Sequence, residues 1–122
     1  MRKLLLLAGV AVMGSGATCV SPKKQCEDLA NVMCARSFEC FSAVIKSSKE
    51  FVAQFGASES ECKAKWDSVW CANVTDDRPC ADSSKKYNSS KATACVDDWE
   101  KASCQTVTGG SFASGNCSSF CQ

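Results

Sequence analysis

The chain has 122 residues, eleven cysteines, no histidine and a formal net charge of +1. Without histidine there is no Ser-His-Asp or Cys-His nucleophilic site, no imidazole metal ligand and no histidine-dependent phospholipase chemistry. A charge so near zero supplies no field for nucleic acid, an anionic membrane or a cationic lytic mode.

Cysteine at this density in so short a chain marks one exported domain, cross-linked because its apolar side chains alone cannot build a sufficient core. The export signal is read over residues 1–17. Arg2 and Lys3 precede an apolar run from Leu4 to Met13, too short to span a bilayer, and Ser15-x-Ala17 fits the small-x-small pattern of a signal-peptidase site. Of 14 basic residues, removal of this segment takes Arg2 and Lys3, leaving twelve against 13 acidic and a net charge of −1. No later stretch is apolar and long enough for a membrane helix, so the mature chain is expected to be soluble or tethered only at its N-terminus.

Cys19 offers that tether. It follows the apolar run as the lipidated cysteine of bacterial lipoproteins does, although Gly16 stands where Leu is usual and Thr18 where a smaller residue is usual. Parity favours setting it aside, because Cys26, Cys34, Cys40, Cys62, Cys71, Cys80, Cys95, Cys104, Cys117 and Cys121 then suffice for complete pairing into disulfides. Cleavage to begin at Thr18 and lipidation at Cys19 both stay open. Several acyl chains on one cysteine would meet the double signal that stable anchoring requires.

Residues 18–25 form a polar lead containing Pro22, and a cysteine-rich helical domain is expected over 26–122. Its first apolar residues, Cys26, Leu29, Ala30, Met33, Cys34, Phe38, Phe41, Val44 and Ile45, recur at helical intervals and predict one amphipathic helix from Cys26 to about Lys46. Ser47 and Ser48 interrupt it; Phe51, Val52 and Phe55 add short apolar turns that Gly56 stops. Ser58-x-x-Glu61 is a capping box, so a second helix is expected from Glu59 to Ala72 with Cys62, Trp66, Val69 and Trp70 inward. Asn73 to Tyr87 is polar, contains Pro79 and reads as loop. Asn88, Ser89 or Ser90 can cap a third helix that reaches about Ser103 and buries Ala92, Cys95, Val96, Trp99 and Ala102. From Gln105 the tail reads as irregular until Cys117-x-x-x-Cys121 pins it. No strand-like alternation appears, and the expected class is all-α: a small disulfide-stapled array of three main helices plus short helical turns.

Cys62-x-x-x-Trp66-x-x-x-x-Cys71 and Cys95-x-x-x-Trp99-x-x-x-x-Cys104 share one spacing, offset by 33 residues. The pattern fits a duplicated helix or coincidence in a cysteine-rich chain, and two copies are too few for a solenoid. Nine residues of helix cover about 13 Å of axis, whereas bridged Cα atoms lie within about 7 Å. Cys62–Cys71 and Cys95–Cys104 are therefore excluded if those helices run through, and Cys26–Cys34 likewise. Every bridge is expected to join different helices or a helix to a loop, with connectivity open.

Little remains for catalysis. No Cys-x-x-Cys exists to form a redox pair or a zinc knuckle, and Cys117-x-x-x-Cys121 reads as structural. Asp97 and Asp98 point about 100° apart on a helix. Asp76, Asp77 and Asp82 lie in a polar loop without the alternation and glycine of a calcium loop. Lys23-Lys24 and Lys85-Lys86 read as solvated. No catalytic, cofactor-binding or metal residue is assigned. Trp66, Trp70 and Trp99, with Phe38, Phe41, Phe51 and Phe55, read as core, a lipid or ligand cavity between helices being the alternative. Asn73-x-Thr75, Asn88-x-Ser90 and Asn116-x-Ser118 match the N-glycosylation pattern, which matters only in a eukaryotic secretory pathway; the short signal looks bacterial.

Cys26-Glu-Asp-Leu-Ala-x-x-x-Cys34-x-x-x-x-x-Cys40, then Ser58-x-x-Glu61-Cys62 with Trp66 and Cys71, then Ala92-x-x-Cys95 with Trp99 and Cys104, resemble the small cysteine-rich exported proteins and lipoproteins that myxobacteria and related predatory bacteria carry in many copies. The resemblance covers most of the mature chain. It implies a secreted, periplasmic or outer-membrane location and no reaction. The expected function is non-catalytic: a binding or structural component at or beyond the cell envelope, whose partner is another envelope or extracellular protein. The alternatives are a secreted effector or inhibitor of a foreign protein, and a small lipid or ligand carrier with a cavity between helices. Nucleic acid is not an expected partner, a membrane only through the N-terminal lipid, and nothing in the sequence sets an oligomeric state.

Overall fold

The computed structural model describes residues 20–109 and 114–122. The export signal at 1–17 and the fate of Cys19 lie outside these residues. Among the described residues the chain forms α1 (Pro22–Cys40), α2 (Ala43–Lys46), α3 (Lys49–Phe55), α4 (Glu59–Trp66), a π-helical segment continuing α4 (Asp67–Cys71), α5 (Ser89–Lys101), α6 (Cys104–Thr108) and α7 (Gly115–Ser119), with no strand. The class is all-α, with one isolated antiparallel bridge between Tyr87 and Cys121.

One local rule starts every α-helix. A serine or asparagine with extended backbone stands at each N-cap, namely Ser21, Ser42, Ser48, Ser58, Asn88, Ser103 and Ser114, and its side chain accepts from a backbone N–H inside the first turn. This rule explains three departures from the sequence reading. α1 begins early because Ser21 caps it and Pro22 supplies a preset first turn. It ends at Cys40 instead of running to Lys46, since Phe41 is extended (ψ 140°) and Ser42 caps a new helix. Likewise α5 stops at Lys101, where Ala102 is extended, and Ser103 starts α6 in what reads as irregular tail. The capping box at Ser58 forms in altered shape: Ser58 Oγ accepts from the Glu61 N–H at 3.2 Å, while the Glu61 carboxylate reaches back to the Ala57 N–H at 2.8 Å. Before it, Gly56 takes φ +85°, and a Cβ there would stand 2.9 Å from the Glu61 Cβ, so glycine is required.

α1 is the spine, packed by α4, the π segment, α5 and α6, while α7 packs on α5. Five disulfides lace this array: Cys26–Cys71, Cys34–Cys62, Cys40–Cys104, Cys80–Cys121 and Cys95–Cys117, with Cα atoms 4.7–5.9 Å apart. Neither Cys62–Cys71 nor Cys95–Cys104 forms. Four bridges join two helical elements; Cys80–Cys121 joins a loop to the segment after α7, so not every bridge engages a helix. The two copies of the Cys-Trp-Cys pattern are used differently. Cys62 and Cys71 both return to α1, whereas Cys95 bonds α7 and Cys104 leaves α5 altogether.

The core is built largely of sulfur. The largest fully buried side chains are Cys34, Cys62, Cys71 and Cys95, so the cross-links serve as packing as well as tether. A second cluster surrounds Phe51, whose ring lies 5.3 Å from both Phe38 and Phe41 and 4.7 Å from Phe55; the edge-on geometry with Phe38 and Phe41 is the favoured one. Arg36 donates to the Ala102 carbonyl at the end of α5, where a cation complements the helix terminus, and pairs with Glu39.

The π segment ends at a covalent tether, the Cys26–Cys71 bond to α1. Nine regular α-helical steps turn Cys71 about 180° away from Cys62, yet both cysteines bond α1. Hydrogen bonding from i to i+5 widens the turn and lowers the rotation per residue, which brings Cys71 back to Cys26. Val69 and Trp70, both in this segment, are 57% and 63% exposed, which overturns their expected inward placement.

Candidate functional site

The outward turn of the π segment leaves a pocket of about 330 Å³ beside it. One wall is the first half of α1, through Pro22, Cys26, Leu29 and Ala30; the opposite wall is Trp66, Trp70 and Cys71. Its floor and far side come from the 74–87 loop, with Ala92 of α5 and Phe120. Two disulfides, Cys26–Cys71 and Cys80–Cys121, are built into the lining, so these walls are fixed by covalent bonds. Trp66 and Trp70, four apart at the junction of α4 and the π segment, stack with centroids 5.5 Å apart and planes at 24°, and the exposed Trp70 stands at the rim.

No charged side chain lines the pocket, and its Gln25 and Tyr87 are hydrogen-bonded within the protein. Gln25, 6% exposed, donates from its amide to the Ser89 carbonyl at 3.3 Å and to the Thr93 hydroxyl, and accepts from the Tyr87 hydroxyl. Burial pushes the Tyr87 phenol above its ordinary 10.0, holding it neutral. The Tyr87 ring meets Phe120 edge-on at 6.5 Å. Backbone hydrogen bonds pair Lys86 with Gln122 in both directions and tie Asn88 to Phe120, so the chain end closes the pocket's far side. Such a lining attracts apolar matter by area.

The sequence-derived candidates are dispersed. Among the described residues all ten cysteines are in disulfides, and no group of three His, Cys, Asp or Glu residues could hold a metal ion. Asp98 accepts from the Ser114 hydroxyl and from the Asn116 amide at 3.0 Å, and these hydrogen bonds hold its carboxyl below the ordinary 3.8. Its neighbour Asp97 is exposed. Asp82 accepts from the Ser84 hydroxyl at 2.7 Å and its N–H at 2.9 Å, a local turn that likewise lowers its pKa; Asp76 and Asp77 are exposed. The aromatic residues divide. Phe51 belongs to the core, whereas Trp66 and Trp70 face the pocket and solvent. Sequence reasoning passed over Gln25 and Tyr87. The available signal was the nine-residue spacing of Cys62 and Cys71: if both bond one helix, the helix between them must be irregular.

No protein-family model, curated protein or solved structure matches the chain.

Proposed function

We propose that the chain is a non-catalytic, disulfide-stapled binding module that works at or beyond the cell envelope. The observation that carries this reading is the uncharged pocket beside the π segment, braced by the two disulfides in its lining and walled mostly by apolar side chains, with Gln25 and Tyr87 hydrogen-bonded within the protein. Five disulfides belong to an oxidising compartment, and no described helix is long and apolar enough to cross a membrane. Both fit the exported location that the resemblance to small cysteine-rich envelope proteins implies. Purified disulfide-intact chain should turn nothing over in a broad hydrolase screen that includes peptidoglycan and glycans. Turnover that vanished on changing two carboxylates among Asp76, Asp77, Asp82, Asp97 and Asp98 to amides, with helicity intact, would replace this reading by an acid-pair hydrolase. Intact-mass analysis of material exported by a bacterial host should show a chain beginning at Thr18 or an acylated Cys19.

A second reading, an effector or inhibitor acting on another organism's protein, draws on the exposed apolar residues of α2 and α3. Val44, Ile45 and Val52 are 78%, 45% and 37% exposed, and large exposed apolar side chains of this kind suit a protein partner.

A further inference from the structure

We infer that the pocket beside the π segment binds a neutral apolar small molecule of about a dozen carbon atoms; this rests on the binding-module reading and names the ligand class of the same site. Size comes first. An apolar cavity of about 150 Å³ accommodates benzene, or about 25 Å³ per carbon, so 330 Å³ takes about twice that ligand, more than one inserted leucine or phenylalanine side chain fills. Charge comes second. The lining holds no Lys, Arg, Asp or Glu, and Gln25 and Tyr87 spend their hydrogen bonds on each other, Ser89 and Thr93. A buried ionised head group would stand unpaired, which is strongly unfavourable. Preorganisation comes third: the walls that carry Cys26, Cys71, Cys80 and Cys121 are cross-linked before any ligand arrives, so little ordering opposes binding. The stacked faces of Trp66 and Trp70 supply the broad contact.

The test is calorimetric titration of the disulfide-intact mature chain with straight-chain 1-alkanols from hexanol to decanol, with the tryptophan indole N–H resonances followed by NMR. Affinity should rise about fourfold per added methylene. The Trp66 and Trp70 resonances should shift while that of Trp99, which does not line the pocket, stays in place. Decanoate at neutral pH should bind at least tenfold more weakly than decanol. Leu29→Trp, which fills the space, should lose at least tenfold in affinity. Trp70→Ala, at a mostly exposed position that leaves folding intact, should also weaken binding, so the test survives if the filled variant fails to fold. A flat titration, a chain-length series without slope, or equal shifts at Trp99 overturns the inference. So does uptake of a short Phe- and Leu-rich peptide with no response to the alkanols, which assigns the pocket to a protein partner. Flat alkanol titrations with a silent hydrolase screen refute the ligand alone; turnover in that screen refutes the binding-module reading itself.

Discussion

Removing Cys34–Cys62 should damage the protein more than removing Cys40–Cys104, although chain entropy alone says the opposite. The two bridges close 28 and 64 residues, for which the loop-entropy relation gives about 3.6 and about 4.3 kcal/mol. Burial reverses the order. Cys34 and Cys62 are both 0% exposed, whereas Cys40 is half-buried and Cys104 exposed. Changing the buried pair to alanine deletes two packed sulfurs and leaves a cavity, adding about 2–3 kcal/mol; the exposed pair leaves almost none. The totals are then about 6 against about 4 kcal/mol, on a domain whose whole stability is about 5–15 kcal/mol. Urea unfolding of C34A/C62A and C40A/C104A, followed by far-UV circular dichroism without reductant, should place the first midpoint about 1 M below the second at a slope of about 1.5–2 kcal/mol/M. A lower midpoint for C40A/C104A would mean that half-cystines are tethers only and do not form the core.

Phe51→Ala should cost about 3–5 kcal/mol, because its ring is 5% exposed among three others, whereas Trp70→Ala, at 63% exposure, should cost under about 1 kcal/mol; paired denaturation curves check the contrast. Gly56→Ala should destabilise by about 1–3 kcal/mol through its positive φ and the crowding by Glu61, measured by the same curves. Asp98 has a folded pKa below its ordinary 3.8, so its contribution is fully present above that value and is lost as pH falls through the lower folded one. The native chain should therefore lose protection of α7 amides to hydrogen exchange in strong acid more steeply than Asp98→Asn, which cannot titrate.

The helical class was legible because serine and asparagine caps and apolar periodicity are local signals, and local signals also located α3 and Gly56. What escaped the sequence reading was decided partly by competing local caps and partly at a distance. Phe41 sits in register for a continued α1, and only its contact with Phe51 and the competing cap of Ser42 break the helix there. Val69 and Trp70 sit in register for the inner face of a regular helix, yet in the π segment that ends at the Cys71 bond to α1 they are exposed. Ser103, where the third helix is expected to end, is a cap signal of the same local kind. The pocket was not legible, since its walls come from segments far apart in sequence that the Cys26–Cys71 and Cys80–Cys121 bonds and the hydrogen bonds around Gln25 and Phe120 bring together.

The bonding pattern also divides the molecule into two separately closed halves. Cys26–Cys71 and Cys34–Cys62 lie wholly before residue 72, and Cys80–Cys121 and Cys95–Cys117 wholly after residue 79. A protease that cut the exposed loop near Asp76 and Asp77 would therefore leave two cross-linked pieces whose single covalent joint is Cys40–Cys104. A nicked molecule would keep both of its internal frameworks and stay in one piece until that joint was reduced.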